Sequence, residues 1–224
     1  MTTKTAEKSI SILREDEDRS LLSEHIEKRG VPPELLRLVS LSHPLAEDYR
    51  PELVPIENEH EIDRRCYAGL MNLLEDCRAA GGRPSVQSAY RSAEEQRLLF
   101  EQAIEIRMKH MGMDRRLAMG SAAWHTAPPG TSEHQLGLAV DIAGDDAEAD
   151  DFTLRWLSRN AWRYGFILRY PEGKEDITGI MSEPWHYRFV GEDAAEEIHR
   201  LGLTLEEYLE SFYDISTGGT VPPV

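Results

Sequence analysis

Residues 137–143 read GLAVDIA, a short apolar run that carries one acid, Asp141. Its length and composition predict a strand, and alternation places Asp141 on the face opposite the large apolar side chains. Burial of an unpaired carboxylate is expensive, so Asp141 needs a compensating partner. His134 precedes the run, and Gly137 allows the chain to bend so that this histidine can approach the same face.

A second short strand is predicted at 185–190, with His186 and Arg188 on one face and Trp185 and Tyr187 on the other. We expect the two aromatic side chains to face the core. Glu183 lies just before this strand, where Pro184 fixes the turn.

Two histidines and one carboxylate are a recurrent ligand set for catalytic zinc, because three protein ligands leave a fourth position for water. Glu183, if it does not bind the metal, can accept the proton of that water. The spacing alone leaves an alternative open, since no dense HExxH-type motif is present. In that alternative each histidine is structural or solvated and Asp141 pairs with an arginine.

The rest of the chain predicts a mixture of helices and strands without regular alternation, which favours an α+β fold over a doubly wound sheet. Ser92 and Glu95 form a capping-box signature at the start of a helix whose residues Leu98, Leu99 and Ile106 are expected to face inward. The predicted helices are 61–80, 92–110, 150–164, 194–200 and 205–212; the further strands are 84–90 and 166–170; the long loops are 111–133 and 171–182.

Composition excludes some classes of function. The 224 residues include 25 Lys and Arg against 41 Asp and Glu, a formal net charge of −16 that repels nucleic-acid phosphates. No stretch is long and apolar enough to predict a transmembrane segment. We expect an N-terminal arm with a short peripheral helix at 1–40, one domain at 41–213 and a tail at 214–224.

Three stretches resemble the VanY-type branch of the LAS metallopeptidases. Residues 132–141, SEHQLGLAVD, match the pattern SxHxxGxAxD of that group, and residues 183–191, EPWHYRFVG, resemble its second motif. Residues 87–96, QSAYRSAEEQ, are similar to the segment that supplies an arginine in this branch. The resemblance covers about residues 40–213.

The resemblance implies a small antiparallel sheet flanked by helices, as in hedgehog-type and D-Ala-D-Ala-peptidase domains. It implies a zinc D,D-carboxypeptidase that acts on peptidoglycan-type peptides ending in D-Ala-D-Ala. The zinc ligands would be His134, Asp141 and His186, and the general base and acid would be Glu183. Arg91 would bind the substrate and stabilise its carbonyl oxygen. Gln96 and Ser132 would bind the substrate near its terminal carboxylate.

Several alternatives remain open at this point. Relatives of the VanXY kind cleave both the free dipeptide and the pentapeptide, and related L,D-carboxypeptidases trim tetrapeptides. A non-catalytic zinc module is a further alternative, although the presence of Glu183 and Arg91 argues against it. Arg91 alone could form a surface salt bridge, and Ser132 could cap a turn. The N-terminus lacks an apolar leader, so a native N-terminus predicts a cytoplasmic protein, whereas a truncated one predicts an anchored or exported protein.

Overall fold

The computed structural model describes residues 32–212, which form an α+β fold built on a small antiparallel sheet, as predicted. The strands are β1 (Leu53–Pro55), β2 (Glu61–Asp63), β3 (Pro84–Ser88), β4 (Ala139–Gly144), β5 (Phe166–Tyr170) and β6 (Glu183–Phe189). The sheet has four of these strands in the order β3-β4-β6-β5, and every neighbouring pair is antiparallel. A separate two-stranded sheet pairs β1 with β2.

Helices pack on both faces of the larger sheet, and the part of one face around Asp141 and His186 lines an open cleft. The helices are α1 (Tyr67–Ala79), α2 (Ala93–Met111), α3 (Arg115–Ala122), α4 (Ala147–Asn160), α5 (Glu175–Thr178), α6 (Glu192–Leu201) and α7 (Leu205–Phe212). The main core joins Val140 and Ile142 of β4 to Leu73 of α1 and Leu157 of α4. Because Asp141 alternates with these apolar residues, its carboxylate lies on the face away from this core.

Three of the predicted elements are wrong in part. The predicted loop 171–182 contains the short helix α5. Residues 61–63 form β2 rather than the first turn of a helix, because they pair with β1. The region 111–133 contains helix α3, which begins at an Asp114 cap and packs Ala118 and Ala122 against Phe100 and Ile104 of α2. This contact also decides which face of α2 is buried. The side chains of Leu98, Leu99 and Ile106, which were expected to face inward, are exposed.

The segment before β1 packs on the domain. Leu35 and Val39 belong to the main core, and the backbone carbonyls of Leu35 and Arg37 accept hydrogen bonds from Arg188. The predicted peripheral helix near residues 21–26 and the predicted tail at 214–224 lie outside the described residues, so the division at residues 40 and 213 stays a prediction. Within residues 32–212, no helix combines the length and the apolar character needed to cross a bilayer.

Gly137 connects the turn that carries His134 to strand β4, and its conformation is one that side chains disfavour. Its φ is +71°, and a Cβ there would lie 3.0 Å from the backbone nitrogen of Asp63. Gly112 has a similar φ of +65°, but a Cβ there meets nothing within 4 Å. A comparison of alanine substitutions at these two glycines therefore separates the cost of backbone strain from the cost of steric contact.

We expect Gly137→Ala to destabilise the protein more than Gly112→Ala. Both changes place an alanine in the left-handed region, at a cost of about 1–2 kcal/mol. Gly137→Ala adds the contact with Asp63, whose backbone cannot move freely because its N–H donates to the Gly137 carbonyl at 2.9 Å. Urea denaturation of both variants measures the difference in the free energy of unfolding. Equal losses would contradict the argument from close packing.

Candidate active site

Strand pairing brings Asp141 and His186 together. The two residues are direct partners in the register of β4 and β6, and their side chains lie on the open face of the sheet. His134 reaches the same place from a short 3₁₀ turn, Glu133–Leu136, which ends at Gly137. The bend expected at Gly137 is therefore present.

The three side chains can share one cation. His134 Nε2 lies 3.3 Å from Asp141 Oδ2, and His186 Nδ1 lies 2.9 Å from Asp141 Oδ1. One ligand atom from each residue can be chosen so that all lie within 4.8 Å of one another. Two imidazole nitrogens and one carboxylate oxygen form a donor set that suits zinc and leaves a position for water.

The outer nitrogen of His134 supports the fit to a metal. His134 Nδ1 lies 2.6 Å from the carbonyl oxygen of Ala89, and a carbonyl can only accept. The proton therefore resides on Nδ1 in the neutral ring, and Nε2 presents its lone pair toward Asp141. This is the state of histidine that a metal requires.

The charges around these residues attract a cation. Burial alone would raise the pKa of Asp141, but His134 and His186 hold it well below its usual range, so this carboxyl is ionised. Burial also opposes protonation of His186, yet the carboxylates of Asp141 and Glu133 outweigh it and raise the pKa of His186 to about 9. The negative potential at this point attracts a proton in the free site and favours a divalent ion that replaces it.

Glu183 and Arg91 lie beside the three clustered residues. Glu183 Oε2 is 3.8 Å from His186 Nδ1. Burial raises the pKa of the Glu183 carboxyl. Arg91 Nη2 is 3.9 Å from Asp141 Oδ2. Arg91 Nε is buried without a hydrogen-bond partner among residues 32–212, so this guanidinium retains a free donor. An ordinary surface salt bridge, the alternative for Arg91, does not describe this geometry.

All seven residues singled out from the sequence line one cleft of about 240 Å³. Gln96 is almost fully buried, and its Nε2 donates to the Ala127 carbonyl at 2.6 Å. Ser132 immediately precedes the 3₁₀ turn, but its side chain makes no capping hydrogen bond. The capping alternative for Ser132 therefore does not account for the position of its side chain.

Three residues of the cleft were missed or misplaced. Trp185 was expected in the core, yet it is 41% exposed and lines the cleft. The pairing of β5 with β6 shifts register between Leu168 and Tyr170, so the regular alternation of faces is interrupted next to Trp185. Tyr170 packs its ring 5.0 Å from that of His186. Glu133 lies at the base of the cleft, where Arg169 and Arg188 keep the pKa of its carboxyl low although burial acts to raise it. The sequence feature that points to a residue such as Glu133 is the presence of Arg169 and Arg188 in apolar strands, because buried guanidinium groups require a buried acid.

Two histidines and an aspartate that can share a cation, with a glutamate and an arginine beside them in an open cleft, form the kind of site found in single-metal hydrolases. The comparison with known sequences gives the family. The profile of VanY, a D-alanyl-D-alanine carboxypeptidase, matches residues 59–192, and the chain belongs to this family.

Known relatives agree with this membership. A D-alanyl-D-alanine carboxypeptidase of Enterococcus faecalis is 43% identical over 177 residues, which are 79% of this chain and 66% of the relative. The structure of a vancomycin-resistance D,D-pentapeptidase VanY mutant in complex with Zn(II) is 43% identical with a TM-score of 0.75, over 79% of this chain and 99% of that one. The structure of the LdcB LD-carboxypeptidase is 35% identical with a TM-score of 0.69, over 80% of this chain and 88% of that one.

Proposed function

We propose that this protein is a zinc-dependent D,D-carboxypeptidase that removes the terminal D-alanine from peptidoglycan precursor peptides ending in D-Ala-D-Ala. The observation that carries the proposal is the set of ligand atoms of His134, Asp141 and His186, which lie within 4.8 Å of one another in a VanY-family chain. Glu183 and Arg91 next to this set supply the remaining groups that peptide hydrolysis needs.

The metal would be held by His134 through Nε2, by Asp141 through its carboxylate and by His186 through Nδ1. When bound, zinc supplies a water whose pKa is lowered to about 7 and a Lewis acid for the peptide carbonyl. The side chains of this chain then have to bind the peptide and move the protons.

Glu183 is the group that moves the proton. Its carboxyl lies on the same side of His186 as Asp141, and its raised pKa keeps the proton transferable closer to neutral pH. As a base it takes a proton from the attacking water. As an acid it returns that proton to the amine nitrogen of the departing D-alanine, so the charge balances over the cycle.

Arg91 supplies positive charge in a protein whose formal net charge is −16. Its guanidinium carries several N–H donors in a planar fork, which suits the oxygen that gains negative charge during attack on the peptide carbonyl. The backbone N–H of Arg91 donates to the His134 carbonyl at 3.2 Å, which ties the arginine to the metal-ligand turn. Gln96 and Ser132 line the same cleft and would bind near the terminal carboxylate of the substrate.

The likeness to an LD-carboxypeptidase gives a second candidate function, removal of D-alanine from a tetrapeptide in which the preceding residue has the L configuration. Both candidates use the same metal and the same proton transfers. They differ in the configuration of the residue whose carbonyl is attacked. The likeness to a D,D-dipeptidase gives a third candidate, cleavage of the free D-Ala-D-Ala dipeptide.

A substrate panel tests the proposal. The zinc-loaded protein is incubated with D-Ala-D-Ala, with a pentapeptide ending in D-Ala-D-Ala and with a tetrapeptide ending in a single D-Ala, and released D-alanine is measured. We expect the pentapeptide to give the highest kcat/KM, and a chelator to abolish release because the metal is removed. Preference for the tetrapeptide would replace the proposal by the L,D-specific candidate. Preference for the free D-Ala-D-Ala would replace the proposal by the dipeptidase candidate, and no release from any of the three peptides would overturn all three candidates.

A further inference from the structure

A buried cluster of four charges lies directly behind the candidate metal ligands, and we call it the Glu133 cluster. It consists of Glu133, Arg169, Arg188 and Glu206. Glu133 Oε1 lies 2.8 Å from Arg169 Nε and 2.9 Å from Arg188 Nη1. Glu206 of helix α7 binds the other side of Arg169 through two hydrogen bonds. Two carboxylates and two guanidiniums make the cluster formally neutral.

Glu133 uses only one of its oxygens within this cluster. Both arginines approach Oε1, whereas Oε2 is buried and has no hydrogen-bond partner among the described residues. His186 Nε2 lies 3.7 Å from this oxygen, and it too is buried without a hydrogen-bond partner in residues 32–212. Two buried polar atoms without hydrogen-bond partners among the described residues thus lie opposite each other, one an acceptor and the other a possible donor.

We infer that Glu133 is a positioning residue for the metal centre, and that its Oε2 accepts the Nε2–H of His186. This inference rests on the proposed role of His186 Nδ1 as a metal ligand. A neutral imidazole carries a single proton, so a proton held on Nε2 leaves the lone pair of Nδ1 free for the metal. Without an acceptor at Nε2, the proton can reside on Nδ1 and be donated to Asp141, which removes the ligand atom.

In each of the two histidines one ring nitrogen then donates its N–H and the other is offered to the metal, but the nitrogens have opposite roles in the two residues. His134 donates its outer Nδ1–H to a backbone carbonyl, that of Ala89, and offers Nε2 to the metal. His186 donates its outer Nε2–H to Glu133 and offers Nδ1. A carboxylate or carbonyl in this outer position is the usual means by which metal-binding histidines are held. Arg169 and Arg188 hold the Glu133 carboxylate in place and balance its charge.

The chain offers a matched control, because Glu206 belongs to the same cluster but contacts Arg169 rather than His186. Glu133→Gln and Glu206→Gln each remove one negative charge from the cluster, and both should lower the unfolding temperature of the metal-free protein. In Glu133→Gln the amide oxygen must face the arginines, which turns the NH₂ group toward His186 Nε2 and places donor against donor. The two variants therefore differ in what they do to His186.

The test is Zn(II) affinity of the full chain, measured by competition with a chelator, together with the visible absorption of the Co(II)-substituted protein. We expect Glu133→Gln to weaken zinc binding by about 10- to 100-fold and to change the Co(II) spectrum. We expect Glu206→Gln to bind zinc with an affinity close to that of the parent and to keep the parent spectrum. Equal weakening in both variants would show a purely structural role for Glu133 and would overturn the inference.

Glu133→Asp keeps the test decisive if Glu133→Gln fails to fold. The shorter side chain retains the charge next to the arginines but moves away from His186, so zinc affinity should fall while most of the stability remains. Parent-like zinc affinity in Glu133→Asp would overturn the inference. Because the readout is metal binding rather than hydrolysis, inactivity on all peptides of the panel would reject the proposed function and leave this result to stand by itself.

Discussion

Glu183→Gln is expected to lower kcat on a D-Ala-D-Ala-ended pentapeptide by about 10³-fold or more, while zinc content stays at one ion per chain. General acid–base catalysis contributes up to about 10⁴-fold, and Glu183 is proposed to act once as a base and once as an acid. Glutamine has nearly the same shape, but it can neither take up nor release the proton. Metal binding should persist, because the proposed ligands are His134, Asp141 and His186.

Steady-state kinetics and metal analysis of the same preparation measure the two expectations together. Glu172→Gln is the matched control, since Glu172 is an exposed glutamate on the turn between β5 and α5 and lies outside the residues that line the cleft. Near-parent turnover in Glu183→Gln with full metal content would remove Glu183 from the mechanism.

The pH dependence gives a further check on the same residue. A general base has to be ionised, so activity rises as pH increases through its pKa. Burial raises the pKa of Glu183 above the ordinary value of 4.5, which moves the acidic limb of the parent's profile upward. Residual activity of Glu183→Gln should lack this limb.

The clustering of the candidate site residues could be expected from the sequence because they lie in short segments whose local rules are strict. An acid in an apolar strand has to be compensated, and His134, which lies just before the strand, was one candidate partner for Asp141 beside an arginine. The sequence does not supply the register that places Asp141 opposite His186, since strand pairing joins residues far apart in the chain. The resemblance to a known family supplied that link.

Elements with clear end signals were predicted best. Strand β5 has the predicted bounds, and helix α7 begins where Thr204 and Glu207 form reciprocal cap hydrogen bonds. Strand β2 was predicted as helix because its apolar residue also fits the period of α1, and only the pairing with β1 distinguishes the two. Hydrophobic periodicity is a property of one segment, whereas the choice between strand and helix for β2 depends on its pairing with β1.

The errors on helix α2 and on Trp185 have a common cause. Large apolar side chains were expected to be buried, but Leu98 and Trp185 are exposed, while the polar Gln96 is buried. Burial follows from which neighbours are available. On α2 the available neighbour is α3, whose small residues Ala118 and Ala122 accept Phe100 and Ile104. Because alanine is small and only weakly hydrophobic, the positions of Ala118 and Ala122 in the sequence do not predict that α2 packs against them.

His186→Ala is expected to abolish stoichiometric zinc binding and to lower stability. The variant loses one of three ligands, and it leaves the carboxylates of Asp141 and Glu133 without the imidazole that lies between them. Removing one partner of a buried charge pair costs about 3–5 kcal/mol. The parent also gains stability from the metal, by about 2.7 kcal/mol when free zinc is 100 times its dissociation constant, and the variant should gain almost none of this.

Metal analysis and thermal unfolding with and without added zinc separate the two losses of stability. The loss of the buried charge pair is present in the metal-free proteins, whereas the loss of stabilisation by zinc is present only in the zinc-loaded ones. His110→Ala is the control, because His110 is exposed near the end of α2 and does not line the cleft. That variant should bind zinc and respond to it as the parent does. If His186→Ala retained one zinc per chain and the parent's thermal shift, the metal would have to be held elsewhere, and the ligand set of His134, Asp141 and His186 would be wrong.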